Sequence, residues 1–451
     1  MSEATKPHWY LVQARPRQAA LAVEHLERQG YCVFHPRLHV ELLPRVVKEV
    51  FMGATPGRGV PLRRLHRYEL DQEGPSMFIT MSLTTAAAAS AWVLGLLLPR
   101  ANHLGLMDHP GERRRIHREA VPRIGGLGVF AGMMTVALLA SLWAMTLGFG
   151  TPSLSILTAE ITGALVPLWT RSAIFGLLGA VLVVVVGVLD DRHQLAPRVR
   201  LLAQAGAGLL LSLGGGVRLD SLGDLFGFGP VDLGLLAVPF TVFAVVGVIN
   251  AFNMVDGIDG LAAGLFLIAL AGLLWLTPGL GLLSVLLLGT GAALVPFLIC
   301  NLELPGGRGC KVFLGDAGSQ LLGYLLAWAC VAGSANPGGG PDAATTLWLC
   351  AVPLADTLAV MGRRVLNGQH PFSADRGHLH HLLSRWLRST RKALVLLLAV
   401  AALLAGLGVA LQVWQVPEWV RFLGAMLTFG LYLLALRNVR CWYRRYSQAH
   451  R

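Results

Sequence analysis

Charge is what this sequence has little of. Only 14% of its 451 residues are Asp, Glu, Lys or Arg, against about a quarter in an ordinary soluble domain. That shortage excludes a disordered chain, which needs high charge and low hydrophobicity, and argues against a plain cytosolic enzyme. Cysteine is also scarce. The six residues, Cys32, Cys300, Cys310, Cys330, Cys350 and Cys441, form no CxxC pair and no zinc spacing with histidine, so they imply no disulfide framework and read as small core residues. Met1 to Tyr10 is polar and no cleavable signal peptide opens the chain; insertion into a membrane must therefore use internal apolar segments. Residues 1–76 lack any long apolar run.

What is present in abundance is apolar surface: 54% hydrophobic residues and a mean hydropathy of +0.60. The net charge, 37 − 25 = +12, would suggest nucleic acid in a soluble protein. Here basic loops beside anionic lipid are the better reading, and no nucleic-acid partner is expected. From residue 77 onward apolar stretches alternate with short basic or glycine-rich loops. A bilayer core needs about 20 apolar residues per helix. The candidates are 77–98, 124–148, 172–189, 199–214, 233–249, 261–276, 282–300, 320–331, 345–361, 393–413 and 420–436, of which 199–214 and 320–331 are short. The expected fold is an all-α polytopic membrane protein of about eleven transmembrane helices, residues 77–451, preceded by a small partial α/β segment, residues 1–76.

Arginines sit in alternate loops: Arg113, Arg114, Arg115 and Arg118; Arg192, Arg198 and Arg200; Arg363, Arg364, Arg376, Arg385, Arg388 and Arg391; and Arg437, Arg440, Arg444 and Arg445 near the end. The positive-inside rule makes these loops cytoplasmic. Eleven spans then put the C-terminus inside and the segment before Met77 outside. On this arrangement Asp190, Asp191, the 250–259 segment, Asp316 and the 378–381 histidines all reach the cytoplasmic face.

Those polar clusters carry the chemistry. Asp190 and Asp191 close an apolar segment; adjacent carboxylates at a membrane edge suit a divalent cation or a base of raised pKa, or else form a solvated helix end with Arg192. Asn250, Asn253, Asp256 and Asp259 crowd one short stretch with Gly257 and Gly260. A helix cap needs one such residue, whereas four oxygen donors suit Mg2+, which takes one or two carboxylates plus phosphate and water. Asp316 lies between glycines at a predicted helix start, where backbone N–H groups favour phosphate; the plainer reading is an N-cap. His378, His380 and His381 follow Arg376. With no cysteine nearby and no HExxH motif, zinc is the weaker reading; a loop of Arg and His gripping a diphosphate is the better one, beside a juxtamembrane loop that binds lipid headgroups. Arg123 leads into Gly125 and Gly126, which either hold a phosphorylated lipid or pack helices closely. Together these residues suggest phosphoryl transfer to or from a membrane-embedded substrate.

Five ordered motifs carry a resemblance: Pro122-Arg-Ile-Gly-Gly126, Asp190-Asp191, the stretch from Asn250 to Leu261, Phe313-Leu-Gly-Asp-Ala-Gly-Ser319, and the stretch from Pro371 to His381. Residues 77–451 resemble the polyprenyl-phosphate N-acetylhexosamine-1-phosphate transferases, the WecA/MraY/TagO group; the His-x-His-His form is similar to the WecA branch. The resemblance implies that a UDP-N-acetylhexosamine, with GlcNAc the default, and undecaprenyl phosphate give undecaprenyl-diphospho-sugar and UMP, with Mg2+ (Mn2+ as an alternative), in the bacterial inner membrane with the active site cytoplasmic. The product would start a lipid-linked surface glycan. The resemblance implies Asp316 and Asn253 as metal ligands. Asp190 or Asp191 becomes the carboxylate that deprotonates the lipid phosphate or joins the metal site, and Asp256 and Asp259 line the same pocket. Arg376, His378, His380, His381, Asn250 and Arg123 are substrate-binding. A homo-oligomer stays open.

A second resemblance covers His8 to about Glu41, which reads strand (9–12), helix (17–30) and strand (31–36) and resembles the start of a NusG/RfaH-type antitermination domain. The segment that should follow is missing, since residues 46–73 keep neither pattern nor periodicity. About forty residues cannot bury an adequate core alone, and the segment is expected to be a truncated, non-functional fragment. Two other classes compete with the enzyme: a secondary transporter, which would place its carboxylates in mid-helix, and a membrane-tethered transcription regulator.

Overall fold

The computed structural model describes residues 10–13, 32–34, 49–53, 63–109, 120–148, 170–277, 282–307, 309–335, 340–369 and 377–449. The chain divides into two compact units, Met1–Gly74 and Pro75–Arg451. In the first, strands β1 (Tyr10–Gln13) and β2 (Cys32–Phe34) both pair antiparallel with β3 (Glu49–Gly53), in the order β1-β3-β2. The first two strands coincide with the expected ones. The third corrects the expectation that residues 46–73 have no pattern: Val50, Phe51 and Met52 form a β-prone run too short to show periodicity. The expected helix over 17–30 lies outside the described residues.

The second unit is helical: α1 (Arg63–Leu97, beginning before the boundary), α2 (Gly125–Gly148), α3 (Arg171–His193), α4 (Pro197–Leu209), α5 (Ala237–Val255), α6 (Leu261–Leu276), α7 (Leu282–Asn301), α8 (Gly315–Ser334), α9 (Ala343–Leu349), α10 (Ala351–Leu366), α11 (Leu379–Trp386), α12 (Thr390–Val413) and α13 (Glu418–Ala449). Two two-residue strands, β4 (Met107–Asp108) and β5 (Val121–Pro122), pair ahead of α2. All eleven apolar segments read from the sequence fall on helices. Among the described residues seven of these are long and apolar enough to cross a membrane, or eight if α9 and α10, bent by 85°, form one broken span. In lipid a helix is the one open-chain element that satisfies its own backbone. The protein is a mostly helical polytopic membrane protein.

The segments outside that set have physical reasons to be. Helix α4 starts at Pro197, carries Arg198 and Arg200 in its first turn, and widens into a π turn over Leu210–Gly214. Helix α6 has 16 residues. Helix α8 begins five residues before the expected position 320, because its first turn is the polar Gly-Asp-Ala-Gly-Ser sequence. It is nonetheless the centre of the bundle: every residue from Ala317 to Val331 is buried, against α2, α3, α5 and α6. A helix apolar on all faces belongs in a core.

Small residues let the neighbours reach α8. A Cβ on Gly187 of α3 would fall on the backbone of Ala317, and one on Gly126 of α2 on the backbone nitrogen of Gly318. The segment before α8 pairs with the segment before α2: Phe313 N donates to Pro122 O (2.8 Å), Gly125 N to Phe313 O (2.9 Å) and Gly126 N to Leu314 O (2.8 Å). Close packing is thus the role the structure gives Gly125 and Gly126. The end of α3, the end of α5 and the start of α8 meet as a result. Elsewhere an apolar groove of about 840 Å³ runs between α9, α10, α11, α12 and α13.

Gly126→Ala is expected to lower thermal stability by about 1–3 kcal/mol, because the added methyl meets unyielding backbone. A melting curve in detergent that matches the parent protein would contradict this account of the contact.

Candidate active site

Asp191 sits in the last turn of α3 and caps a different helix. Its carboxylate accepts hydrogen bonds from the backbone N–H of Asp316 (Oδ1, 3.0 Å) and of Ala317 (Oδ2, 3.2 Å), the first donors of α8. These groups have no partner within their own helix, and a carboxylate there also meets the positive end of the helix dipole. The chain arrives in α8 through Gly315 with φ +75°, where a side chain would collide with Asp191. Asp190 faces the other way, accepting from Leu195 N (2.7 Å) and from Arg200 Nη1 (2.8 Å). Arg200 Nη1 lies 3.9 Å from Asp316 Oδ2. Arg123 pairs with Asp108 and stands 3.8 Å from Asp191.

Of these three carboxylates Asp316 is the one left accessible: its side chain is 32% exposed, against 4% for Asp190 and 2% for Asp191; across the site Asp259, at 37%, is exposed to a similar degree. Asn253, from α5, donates its amide to Asp316 Oδ1 (2.7 Å) and to Ser319 Oγ (3.0 Å), which sets the Asp316 rotamer. Asp256 follows immediately after α5. Burial, with Asp316 and Asp259 beside it, pushes its carboxyl up to about 8. Asp259 is held by Lys311 Nζ (2.7 Å) and, at 3.4 Å, by Asn301 Nδ2. Asn250 is used differently: its amide donates to Gln204 Oε1 (2.6 Å), and Gln204 in turn donates to Gln320 Oε1 (3.2 Å). That chain of amides ties α5, α4 and α8 together through the core.

The histidines join this cluster from the other side. His378 Nδ1 lies 2.8 Å from Asp356 Oδ2 of α10, and Leu379 N donates to Asp356 Oδ1 (2.9 Å). The ring of His380 packs on Gly257, where a Cβ would fall on its Nε2. His380 stacks against His378 with ring centroids 5.5 Å apart, and His381 lies 4.2 Å from His380. Burial, together with His381 and His378 nearby, pushes the His380 imidazole down to about 3, so it is neutral at pH 7. Arg376 lies outside the described residues.

The structure therefore brings Asp190, Asp191, Asn253, Asp256, Asp316 and Arg123 to one place. Asp259 and the three histidines are placed around the same 253–259 loop, and Asn250 has its bonds in the helix core. The reading of the α8 N-terminus as a free phosphate cradle needs correction, because Asp191 already accepts from Asp316 N and Ala317 N. Asp316 is not the N-cap either; Leu314 holds that position, and the cap comes from α3. Sequence reasoning missed Asp108, Arg200, Lys311 and Asp356. Arg200 and Lys311 were indistinguishable from topology charge. Asp356 did carry a signal, as a lone carboxylate inside an apolar run.

The donor set suits a divalent cation. Mg2+ prefers carboxylate and carbonyl oxygens, and Asp256, whose carboxyl is raised first by burial and then by Asp316 and Asp259, stands beside these carboxylates. Asp316 and Asn253 are the residues that would hold the ion, with Asp256 beside them.

A polytopic helical membrane protein that gathers carboxylates, basic residues and histidines at its helix ends is the class the fold and the site define. Residues 173–334 match Glycosyl transferase family 4. Over 346 residues the chain is 36% identical to an undecaprenyl-phosphate alpha-N-acetylglucosaminyl 1-phosphate transferase of Escherichia coli (strain K12), covering 76% of this chain and 86% of that protein. Proteins of the same name from Yersinia pestis (36% over 342 residues, 75% and 86%) and Haemophilus influenzae (34% over 355 residues, 78% and 92%) are similar in the same way. The chain belongs to glycosyl transferase family 4.

Asp191→Ala should lower thermal stability by about 1–3 kcal/mol, since one buried and one part-buried N–H group lose their acceptor. Asp316→Ala, at the more exposed carboxylate, should change it less. The opposite order in a melting series would show that Asp191 is not the cap of α8.

Proposed function

We propose that this protein transfers N-acetylglucosamine 1-phosphate from UDP-GlcNAc to undecaprenyl phosphate at the cytoplasmic face of the bacterial inner membrane, releasing UMP and starting a lipid-linked surface glycan. The observation that carries the reading is Asp316: a partly exposed carboxylate at a capped helix start, with Asn253, Arg200 and Asp256 around it. The relatives' names supply the acceptor and the transferred group. The arginine-rich loops on the side of Arg200 support the orientation.

In this reaction an oxygen of the lipid phosphate attacks the β-phosphorus of the donor. A new P–O–P bridge forms, the bond between the β-phosphorus and the bridging oxygen of the donor breaks, and UMP leaves with that oxygen. The lipid phosphate is largely ionised near neutral pH, so the attack does not require a dedicated base. Catalysis is then positioning and charge stabilisation. A bound Mg2+, held by Asp316 and Asn253, with Mn2+ as an alternative, would neutralise charge on the donor diphosphate. Arg200 and Arg123 hold Asp190 and Asp191 in place and add positive field beside Asp316. Lys311 does the same at Asp259. His378, His380, His381 and Arg376 grip the diphosphate and sugar, and the neutral His380 offers a hydrogen bond without adding charge. The apolar groove between α10, α12 and α13 receives the isoprenoid chain, because it is lined by side chains such as Leu358, Leu397 and Phe429 and begins beside the histidine loop at Leu379.

Membranes containing the protein should release UMP from UDP-GlcNAc only with undecaprenyl phosphate and Mg2+, and chelation should stop release. Asp316→Ala should lower turnover about 10²–10³-fold or more with normal insertion; full activity in that variant would refute the metal assignment. A variant lacking residues 1–76 should turn over nearly as the whole chain does, measured by the same UMP release. A well-inserted but inactive truncation would give the N-terminal unit a role in catalysis.

A further inference from the structure

Asp356 has no part in the scheme above, yet it is a carboxylate 2% exposed in the middle of α10, between Ala355 and Thr357. A charge in such a place is costly and is retained with partners. It accepts three hydrogen bonds, from His378 Nδ1 at 2.8 Å, Leu379 N at 2.9 Å and the Tyr432 hydroxyl of α13 at 2.7 Å, and His380 Nδ1 lies 3.8 Å from it. Tyr432 and Leu379 share Oδ1, whereas His378 faces Oδ2. The carboxylate thus starts α11 by accepting its first backbone donor, and fixes the histidine that precedes that helix.

The contacts continue toward the carboxylate loop. A carboxylate facing Nδ1 holds the proton on that nitrogen and leaves Nε2 as the free functional atom. His378 stacks on His380 at an interplanar angle of 20°, and His380 packs on Gly257, between Asp256 and Asp259. Both ring nitrogens of His380 are buried without a hydrogen-bond partner, and its Nδ1 lies 3.8 Å from Asp356 Oδ2. A metal shared by Asp356, His378 and His380 is geometrically disfavoured. Two ligands of one tetrahedral zinc, each bonded at about 2.0 Å, stand about 3.3 Å apart, and the 2.8 Å between Asp356 and His378 is a hydrogen bond.

We propose that Asp356 is a positioning residue for the transfer reaction: through His378 and the start of α11 it sets the tautomer and placement of the histidines that bind the donor diphosphate, and Tyr432 holds Asp356 for that task. This rests on the reading of the histidine loop as the donor-binding loop. An Asp→Asn change at an orienting carboxylate keeps the shape and reverses the histidine tautomer, because the amide donates where the carboxylate accepted.

The test uses the full chain in lipid nanodiscs with UDP-GlcNAc and undecaprenyl phosphate. Asp356→Asn should insert and melt as the parent protein does. It should raise KM for UDP-GlcNAc and lower kcat, together costing about tenfold or more in kcat/KM, with KM for undecaprenyl phosphate within about twofold. Tyr432→Phe, which removes one of three bonds to the carboxylate, should show the same pattern at smaller size. The ¹⁵N shifts of His378 should report Nδ1–H in the parent protein and loss of that tautomer in Asp356→Asn. This readout needs no turnover, so it separates failure of this proposal from failure of the transferase reading, which an inactive parent protein would indicate. Unchanged donor kinetics in both variants, an effect confined to undecaprenyl phosphate, an unchanged His378 tautomer, or stoichiometric zinc lost on Asp356→Asn would each overturn it. Should Asp356→Asn fail to insert, an unaltered donor KM in Tyr432→Phe overturns it as well.

Discussion

The carboxylate of Asp191 closing over the first backbone donors of α8 is the interaction on which the rest of the site depends. Helix α8 is buried from Ala317 to Val331, so its N-terminal N–H groups have little water to turn to, and leaving the buried Ala317 N–H unpaired would cost about 1–3 kcal/mol. The acceptor comes from α3, whose Gly187 allows the two backbones to touch one turn earlier. With α3 and α8 locked in this way, Asp190 is directed to Arg200 and Asp316 stays accessible. One capping contact therefore sorts three neighbouring carboxylates into a structural acceptor, an ion-pair member and an accessible group.

The second constraint is the membrane. A helix long and apolar enough to cross lipid has little room for polar chemistry, so the functional residues are placed at helix ends and in the breaks between helices. Asp190 and Asp191 end α3, Asp256 follows α5, Asp316 begins α8 and His378 precedes α11. Asp356 is the exception, and its three hydrogen bonds are what make a mid-helix carboxylate tolerable. The transporter alternative required mid-helix carboxylates as the rule. Here, among the described residues, Asp356 lies in the second half of the bent α9–α10 pair and is buried against the histidine loop.

Much of this was legible in the sequence for a definite reason. Apolar runs announce helices, and dense oxygen-bearing clusters such as Asn253, Asp256 and Asp259 exceed what caps and turns require. What the sequence cannot show is which acceptor meets which donor across the bundle. Asp316 read equally well as an N-cap, and only the fold reveals that Asp191 supplies the cap, 125 positions away. Asn250 looked like a fourth oxygen donor for a ligand, but Gln204 and Gln320, distant along the chain, engage it in the core. Arg200 and Lys311 were hidden for the opposite reason: positive charge in a loop between apolar helices already has an explanation in topology, so a place beside the site adds no visible signal. Span counting from hydropathy also blurred three different objects, namely crossing helices, the polar-ended core helix α8 and the bent pair α9–α10.

The balance of charge argues for how the site is completed. Among the described residues Asp108, Asp190, Asp191, Asp259 and Asp316 stand beside Arg123, Arg200 and Lys311, five carboxylates against three cations, and Asp256, pushed up to about 8, adds a further carboxyl in its neutral form at pH 7. A site with that excess repels a diphosphate and a lipid phosphate, both anionic. The raised Asp256 carboxyl records the same excess from the protein's side, since it is driven toward the neutral form by burial and by Asp316 and Asp259. Neutral His380 adds nothing to redress it. On the proposed reading the missing positive charge arrives with the donor, as its divalent counterion. A phosphate-transfer site of this composition is consequently selective in order: an anionic substrate alone is repelled, and a cation-bound one is held, which makes the carboxylates a filter for the charge state of the donor as well as a support for the ion.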